Sequence, residues 1–376
     1  MKKHLTFIAC IAVTSMVQAA PAIAATDEPD YEVMATGLLS PLHLAVDKDE
    51  SVLVSQAFAG ILTHVEDDGD LDDVYTTPNE GWSVAGVDIH DSTAYFLESF
   101  GAGQGPDGLR GYLKALDSDG EARTIADLAD YERKFNPDAG QHYGFEADTG
   151  QQCLAEAASR PDAPPAQYTG TLDSNPYAVA VREDTAYVAD AGMNAVLKVD
   201  LESGSISTVA VLPPRPLTIT HKIAQSLGVP SCAGFTYGFE PVPTDVEIGP
   251  DGWLYVSSLP GGPEDPSLGP RGAIFKVNPW TGATVLWQNA IVSPTGLAVS
   301  DEGDVYVASL FGGEILKFTY QGERSHFLKV NLPAAVEFRD GDVFATIDAL
   351  PPQPDPATPD APMPKPEGKL IEVDFD

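Results

Sequence analysis

A strand–turn–strand unit that recurs through the chain limits its fold more than any other feature. Between Asn175 and Asp200 a short apolar run, AVAV, meets the polar turn RED. A second run, TAYVA, then leads through a Gly/Asn turn into VLKVD. Such spacing predicts three short antiparallel strands in a meander. Copies of the first two strands and their turn begin at Pro41, Val84, Pro243, Pro294 and Pro333, which makes six units. A single meander leaves both faces uncovered, so the units must stack on one another.

A third strand follows in each unit, at 60–65, 111–116, 195–199, 273–277, 314–318 and 369–373. Five units add a fourth, near 73–76, 122–126, 206–211, 284–288 and 325–330. The sixth has none, but Tyr31 to Leu38 (YEVMATGL) is a spare strand at the other end of the sequence. Pairing it into the sixth unit would remove the open sheet edges. The expectation is therefore an all-β chain: a six-bladed β-propeller of four-stranded antiparallel blades, closed by the N-terminal strand and occupying residues 31–376 as a single domain.

Residues 1–24 read as a signal peptide: a basic MKKH stub, an apolar stretch from Leu5 to Val17, and Ala22-Ile23-Ala24 as a small-residue cleavage site. Val17-Gln18-Ala19 competes as a second cleavage site, and residues 25–30 form a tail. The protein is expected to be exported, to the periplasm or beyond, and to be a monomer with no membrane span. Net charge is −35, and −37 once Lys2 and Lys3 leave with the leader. A polyanion of that size repels nucleic acid and anionic lipid.

Long insertions break the repeat at 131–171 and 213–242, and between the second and third strands of units two, four and six. In a four-stranded meander all of these connections leave one face of the disc. A scaffold that varies one set of loops usually binds there, so a small molecule or a protein is expected on that face. Aromatic residues line it, and Tyr143-Gly144-Phe145-Glu146 is echoed by Tyr237-Gly238-Phe239-Glu240, which reads as two lips over one cleft. Ligand contacts are assigned to Tyr143, Tyr237, Asn175, Tyr177, Asp190 and Glu98. Cys153 and Cys232 are the two cysteines outside the leader, one in each large insertion, and are expected to form a disulfide.

Several motifs look like those of the ScyD/ScyE family: Phe135-Asn136-Pro137-Asp138, Asp173-Ser174-Asn175-Pro176-Tyr177, Tyr187 to Gly192, Pro213-Pro214-Arg215-Pro216, and Pro243-Thr244-Asp245-Val246 with Gly249-Pro250-Asp251-Gly252. The resemblance implies an exported propeller associated with the biosynthesis of scytonemin, a bacterial pigment. It departs from the family pattern at 139–172, which separates NPD from DSNPY. More distantly the repeats are similar to NHL repeats and to gluconolactonase and strictosidine-synthase propellers. Lactonase-like propellers hold calcium in the central channel through a Glu, two Asn and an Asp, and that set is not recognisable here.

His43, Asp88, Asp245, Glu247 and Glu337 nevertheless fall in one column of the innermost strands. They would offer ligands for Ca2+ or another divalent cation, or would bond to neighbouring blades and channel water. No nucleophile elbow, HExxH or phosphate-binding loop is present. Two readings stay open: an exported binding or scaffold propeller, with no catalytic residues, and a metal-dependent hydrolase or lyase.

Overall fold

The computed structural model describes residues 28–48, 50–66, 68–160, 165–263, 266–351 and 366–373. The leader assigned to residues 1–24 lies outside them. Every repeat folds into a four-stranded antiparallel sheet with its strands in sequential order. In the first, Pro41–Val46, Val52–Gln56, Ile61–Val65 and Leu71–Thr76 follow one another outward. Hydropathy sets that order: PLHLAV is buried throughout, whereas LDDVYT at the outer edge is mostly exposed. A strand covered on both sides must be continuously apolar, and an edge strand can alternate or be polar.

The second to fifth sheets start from innermost strands Ser83–His90, Pro176–Arg182, Pro243–Ile248 and Pro294–Val299. The sixth runs Val336–Arg339, Asp342–Ile347, Gly368–Val373, and its outer place is taken by Tyr31–Leu38. That pairing runs from Tyr31 opposite Val373 to Leu38 opposite Gly368. The N-terminal strand thus supplies the missing edge, as its spare position in the sequence predicts.

Apolar clusters lie between neighbouring sheets. Leu97 and Leu113 of the second pack with Val188 and Leu197 of the third, while Leu44 and Val54 of the first pack with Phe344 and Leu370 of the sixth. Polar staples join the innermost strands at alternate junctions. The Asp88 carboxylate accepts the Val181 amide (2.5 Å), Asp245 accepts the Leu297 amide (2.7 Å), and the Arg339 guanidinium donates to the Val46 carbonyl (2.6 Å).

The two large insertions do not remain loops. They combine into a seventh four-stranded sheet, in the order Gln167–Thr169, His142–Phe145, Thr236–Phe239, Arg215–Thr218. At its centre Gly144 lies opposite Gly238 and Phe145 opposite Tyr237, so the two YGF motifs pair with each other. Gly144 has φ +88°, and a Cβ there would sit 2.5 Å from the Ala166 carbonyl oxygen. Only glycine lets the strands approach so closely. Three helices accompany the insertions: Leu128–Phe135, Gln151–Ala158 and His221–Ser226. The first is capped by Asp127, whose carboxylate accepts the Asp130 amide, and stops at Asn136, ahead of Pro137. Cys153 and Cys232 are bonded, joining the second helix to the turn Pro230–Cys232. The Glu156 carboxylate reinforces the join by accepting the Ser231 amide at 2.8 Å.

Candidate functional site

The column of channel residues predicted from the innermost strands is real. His43, Asp245, Glu247 and Glu337 line one cavity, and Asp88 joins Glu247 at the channel's other end. Burial pushes their carboxyl groups up, Asp88 to about 6, and repulsion from neighbouring carboxylates adds to it for the others: Asp245 to about 7, Glu337 to about 8, and Glu247 well above the carboxylate range. Burial pushes His43 down to about 3, so its ring is neutral; it packs edge-on against Tyr177, with ring centres 4.7 Å apart.

These residues do not fit the divalent cation that the lactonase likeness implies. Asp88 and Asp245 are already committed to backbone amides on the next strand. Among the described residues no three His, Cys, Asp or Glu side chains are placed to hold a metal ion. The channel cavity is about 10 Å³, room for one water. Small residues explain the tightness. A Cβ on Gly86 would lie 2.5 Å from the Ala178 Cα, and one on Gly296 would lie 2.8 Å from the Ala335 Cα. The small positions in the column are therefore where adjacent strands touch, closing the channel instead of widening it.

Three of the motifs that carry the family resemblance, at 135–138, 173–177 and 187–192, meet in a second buried polar cluster. Asp138 accepts from the Tyr143 hydroxyl and the Asn194 amide, both at 3.0 Å. Glu132 accepts the Asp173 amide, and Asp173 accepts the Gly103 amide. Asp190 takes the Ser174 hydroxyl and the amides of Asn175, Gly192 and Met193. Burial raises Glu132 to about 8 and Asp190 to about 6.

This geometry corrects several sequence-based assignments. Tyr143 is fully buried with its hydroxyl on Asp138, so it is no lip over a cleft. Asp190 is a loop staple with four donors. Glu98 is buried between the Tyr75 hydroxyl (2.8 Å) and the Lys114 ammonium (3.2 Å) and faces no open space. Asn175 offers its backbone to Asp190 and to the Ala191 amide, and Tyr177 packs on His43 in the channel. Of the six assigned ligand contacts, only Tyr237 lines a sizeable cavity.

That cavity, about 310 Å³, lies inside the insertion module. Phe145, Tyr237 and Phe239 form one wall and Ile219, Leu227 and Val229 another, with Gly262 and Pro263 contributed by the loop after the fourth sheet's second strand. Phe145 and Tyr237 meet edge to face at 4.9 Å, and Tyr237 and Phe239 lie 4.6 Å apart. Arg160 stands at the same cavity, just past the disulfide-bearing helix. Its size is at the lower end for sites that take small organic molecules.

Solved structures share this architecture. A protein of unknown function from Bacteroides thetaiotaomicron superposes with a TM-score of 0.54 at 12% identity, over 92% of this chain and 72% of its own. A gluconolactonase from Xanthomonas campestris gives 0.51 at 12% identity over 93% and 95%. A putative glucose dehydrogenase from Thermus thermophilus gives 0.50 at 16% over 92% and 99%. The fold is that of a β-propeller. At these identities the likeness establishes the fold alone. No protein-family model matches the chain, and no curated protein does.

On this propeller the sequence reading located the decorated face but missed the cavity in it. Phe145 and Phe239 stand within the echoed motifs, whereas Ile219, Leu227, Val229 and Arg160 carry no local motif. The available signal was an apolar content too high for solvated loops, as in LTITHKIAQSLGV at 217–229.

Proposed function

We propose that the protein is an exported binding propeller that holds a small, largely apolar organic molecule in the cavity of its insertion module. One contrast carries the reading: the channel offers about 10 Å³ around Asp245 and Glu337 and, at its other end, an open space of about 270 Å³ lined mainly by charged residues, whereas the insertion cavity of about 310 Å³ is walled by aromatic and aliphatic side chains. The disulfide between the two insertions supports export, because such bonds persist in oxidising compartments, and the leader-like N-terminus agrees. The ScyD/ScyE resemblance supports a role in assembling or handling a secondary metabolite such as a pigment.

A second reading, a hydrolase or lyase acting at the channel, draws on carboxyl groups held near neutrality, a perturbation common at acid–base sites. One comparison separates the two. Aromatic small molecules should raise the melting temperature of the wild-type protein and of Glu337→Gln, but not of Ala157→Trp, whose indole would fill the cavity. Lactone hydrolysis that disappears in Glu337→Gln while surviving Ala157→Trp would favour the channel and defeat the binding reading.

A further inference from the structure

We propose that the molecule taken by the insertion cavity carries an anionic group, with Arg160 as its counter-ion; this builds on the binding reading above. The chain has 56 acidic residues against 21 Lys and Arg, yet among the described residues no Asp or Glu lines this cavity and one Arg does. The nearest acid on the same helix, Glu156, points away into its bonds with Ser231. The Arg160 amide donates to the Ala157 carbonyl at 3.2 Å, which anchors its backbone to the end of the helix. Arg160 has no ion pair with any described residue.

Arg271 lies over the Phe239 ring at 4.6 Å and donates to the carbonyls of Gly261 (2.8 Å) and Pro263 (2.9 Å), which flank the part of the wall that reaches the cavity. The other walls of the cavity are largely hydrocarbon. An aromatic body would bury against Phe145, Tyr237 and Phe239, and a carboxylate or sulfonate would meet the planar guanidinium of Arg160 with two hydrogen bonds. A cationic ligand finds no carboxylate among the described lining residues.

Two probes of matched shape test this on the full, oxidised chain: the anionic 1-anilinonaphthalene-8-sulfonate and the neutral N-phenyl-1-naphthylamine, titrated at low salt by fluorescence. Wild type should bind the sulfonate at one site at least about 10-fold more tightly, the scale of a charge-assisted hydrogen bond. Arg160→Gln should weaken the sulfonate by about the same factor and leave the neutral probe unchanged, and Arg160→Lys should recover part of the loss. Ala157→Trp, or Ala166→Trp if the first fails to fold by near-UV circular dichroism, should abolish both. Equal affinity for the two probes in wild type, or a sulfonate affinity untouched by Arg160→Gln, overturns the charge assignment and leaves the cavity reading standing. Probes that bind the tryptophan variants normally, or do not bind wild type saturably, overturn the cavity reading and this one with it.

Discussion

The disc of repeats and the module on its face are both built from four-stranded antiparallel sheets, yet they close in opposite ways. In the disc five of the six sheets each come from one continuous stretch, the N-terminal strand supplies the edge of the sixth, and glycine and alanine bring the innermost strands into contact. In the module the sheet is assembled from halves on either side of the third repeat, fastened by Cys153–Cys232 and by paired YGF motifs. Acidic groups collect where the disc's channel is tightest, whereas the module's cavity is walled by apolar side chains.

The contrast breaks first at the edge. Deleting 31–38 should leave Gly368–Val373 as a bare edge of the sixth sheet and drive the whole protein into aggregates, seen by light scattering. A monomeric truncation with unchanged melting would show that the disc does not depend on closure. Changes in the module should never have that effect.

Next in size is the disulfide. In the chain-entropy model a crosslink closing a loop of 79 residues contributes roughly 4 to 5 kcal/mol at most. Replacing both cysteines by serine should make residues 142–169 and 215–239 the first regions cut by protease and should abolish probe binding in the cavity. The far-ultraviolet circular dichroism of the disc should be kept. Equal protease resistance with and without the bond would mean that the sheet pairing alone holds the module.

The smallest of the three effects is in the channel. Burial, then repulsion from Asp88 and Asp245, raises Glu337 to about 8. The folded state therefore binds a proton more tightly than the unfolded chain. The resulting stability is fully present below the unfolded pKa near 4.5 and is lost as pH rises through about 8. Glu337→Gln removes that loss, so by calorimetry its melting temperature should exceed that of wild type by several degrees at pH 8 and by little at pH 5, at roughly 2 °C or more per kcal/mol. A pH-independent difference would mean that the charges at the centre of the disc are already compensated.

How far the sequence could be read follows the same division. Strand positions, their order and the closing role of 31–38 were legible because a period of two with polar turns is a local signal repeated six times. The disulfide was legible from a count. The use of Asp88 and Asp245 was not, since an acid that staples two blades and an acid that binds a ligand look alike in one dimension. The echo of YGFE pointed to a true relation, but its meaning was strand pairing across Gly144 and Gly238 instead of two facing lips. The cavity depends on residues from 145 to 263 meeting in space, and no spacing rule connects them.

The partnership of Tyr31 with Val373 also sets a schedule for assembly. A ribosome makes these partners more than three hundred residues apart, so the first strand waits roughly 20 to 70 s for its place at about 5 to 20 residues per second. Five sheets and the strands of the module can form in that interval, each from segments already at hand. The sixth joins a strand made early to one made more than three hundred residues later. Its seam is the last element to form, and the chain's topology, more than any local propensity, makes it so.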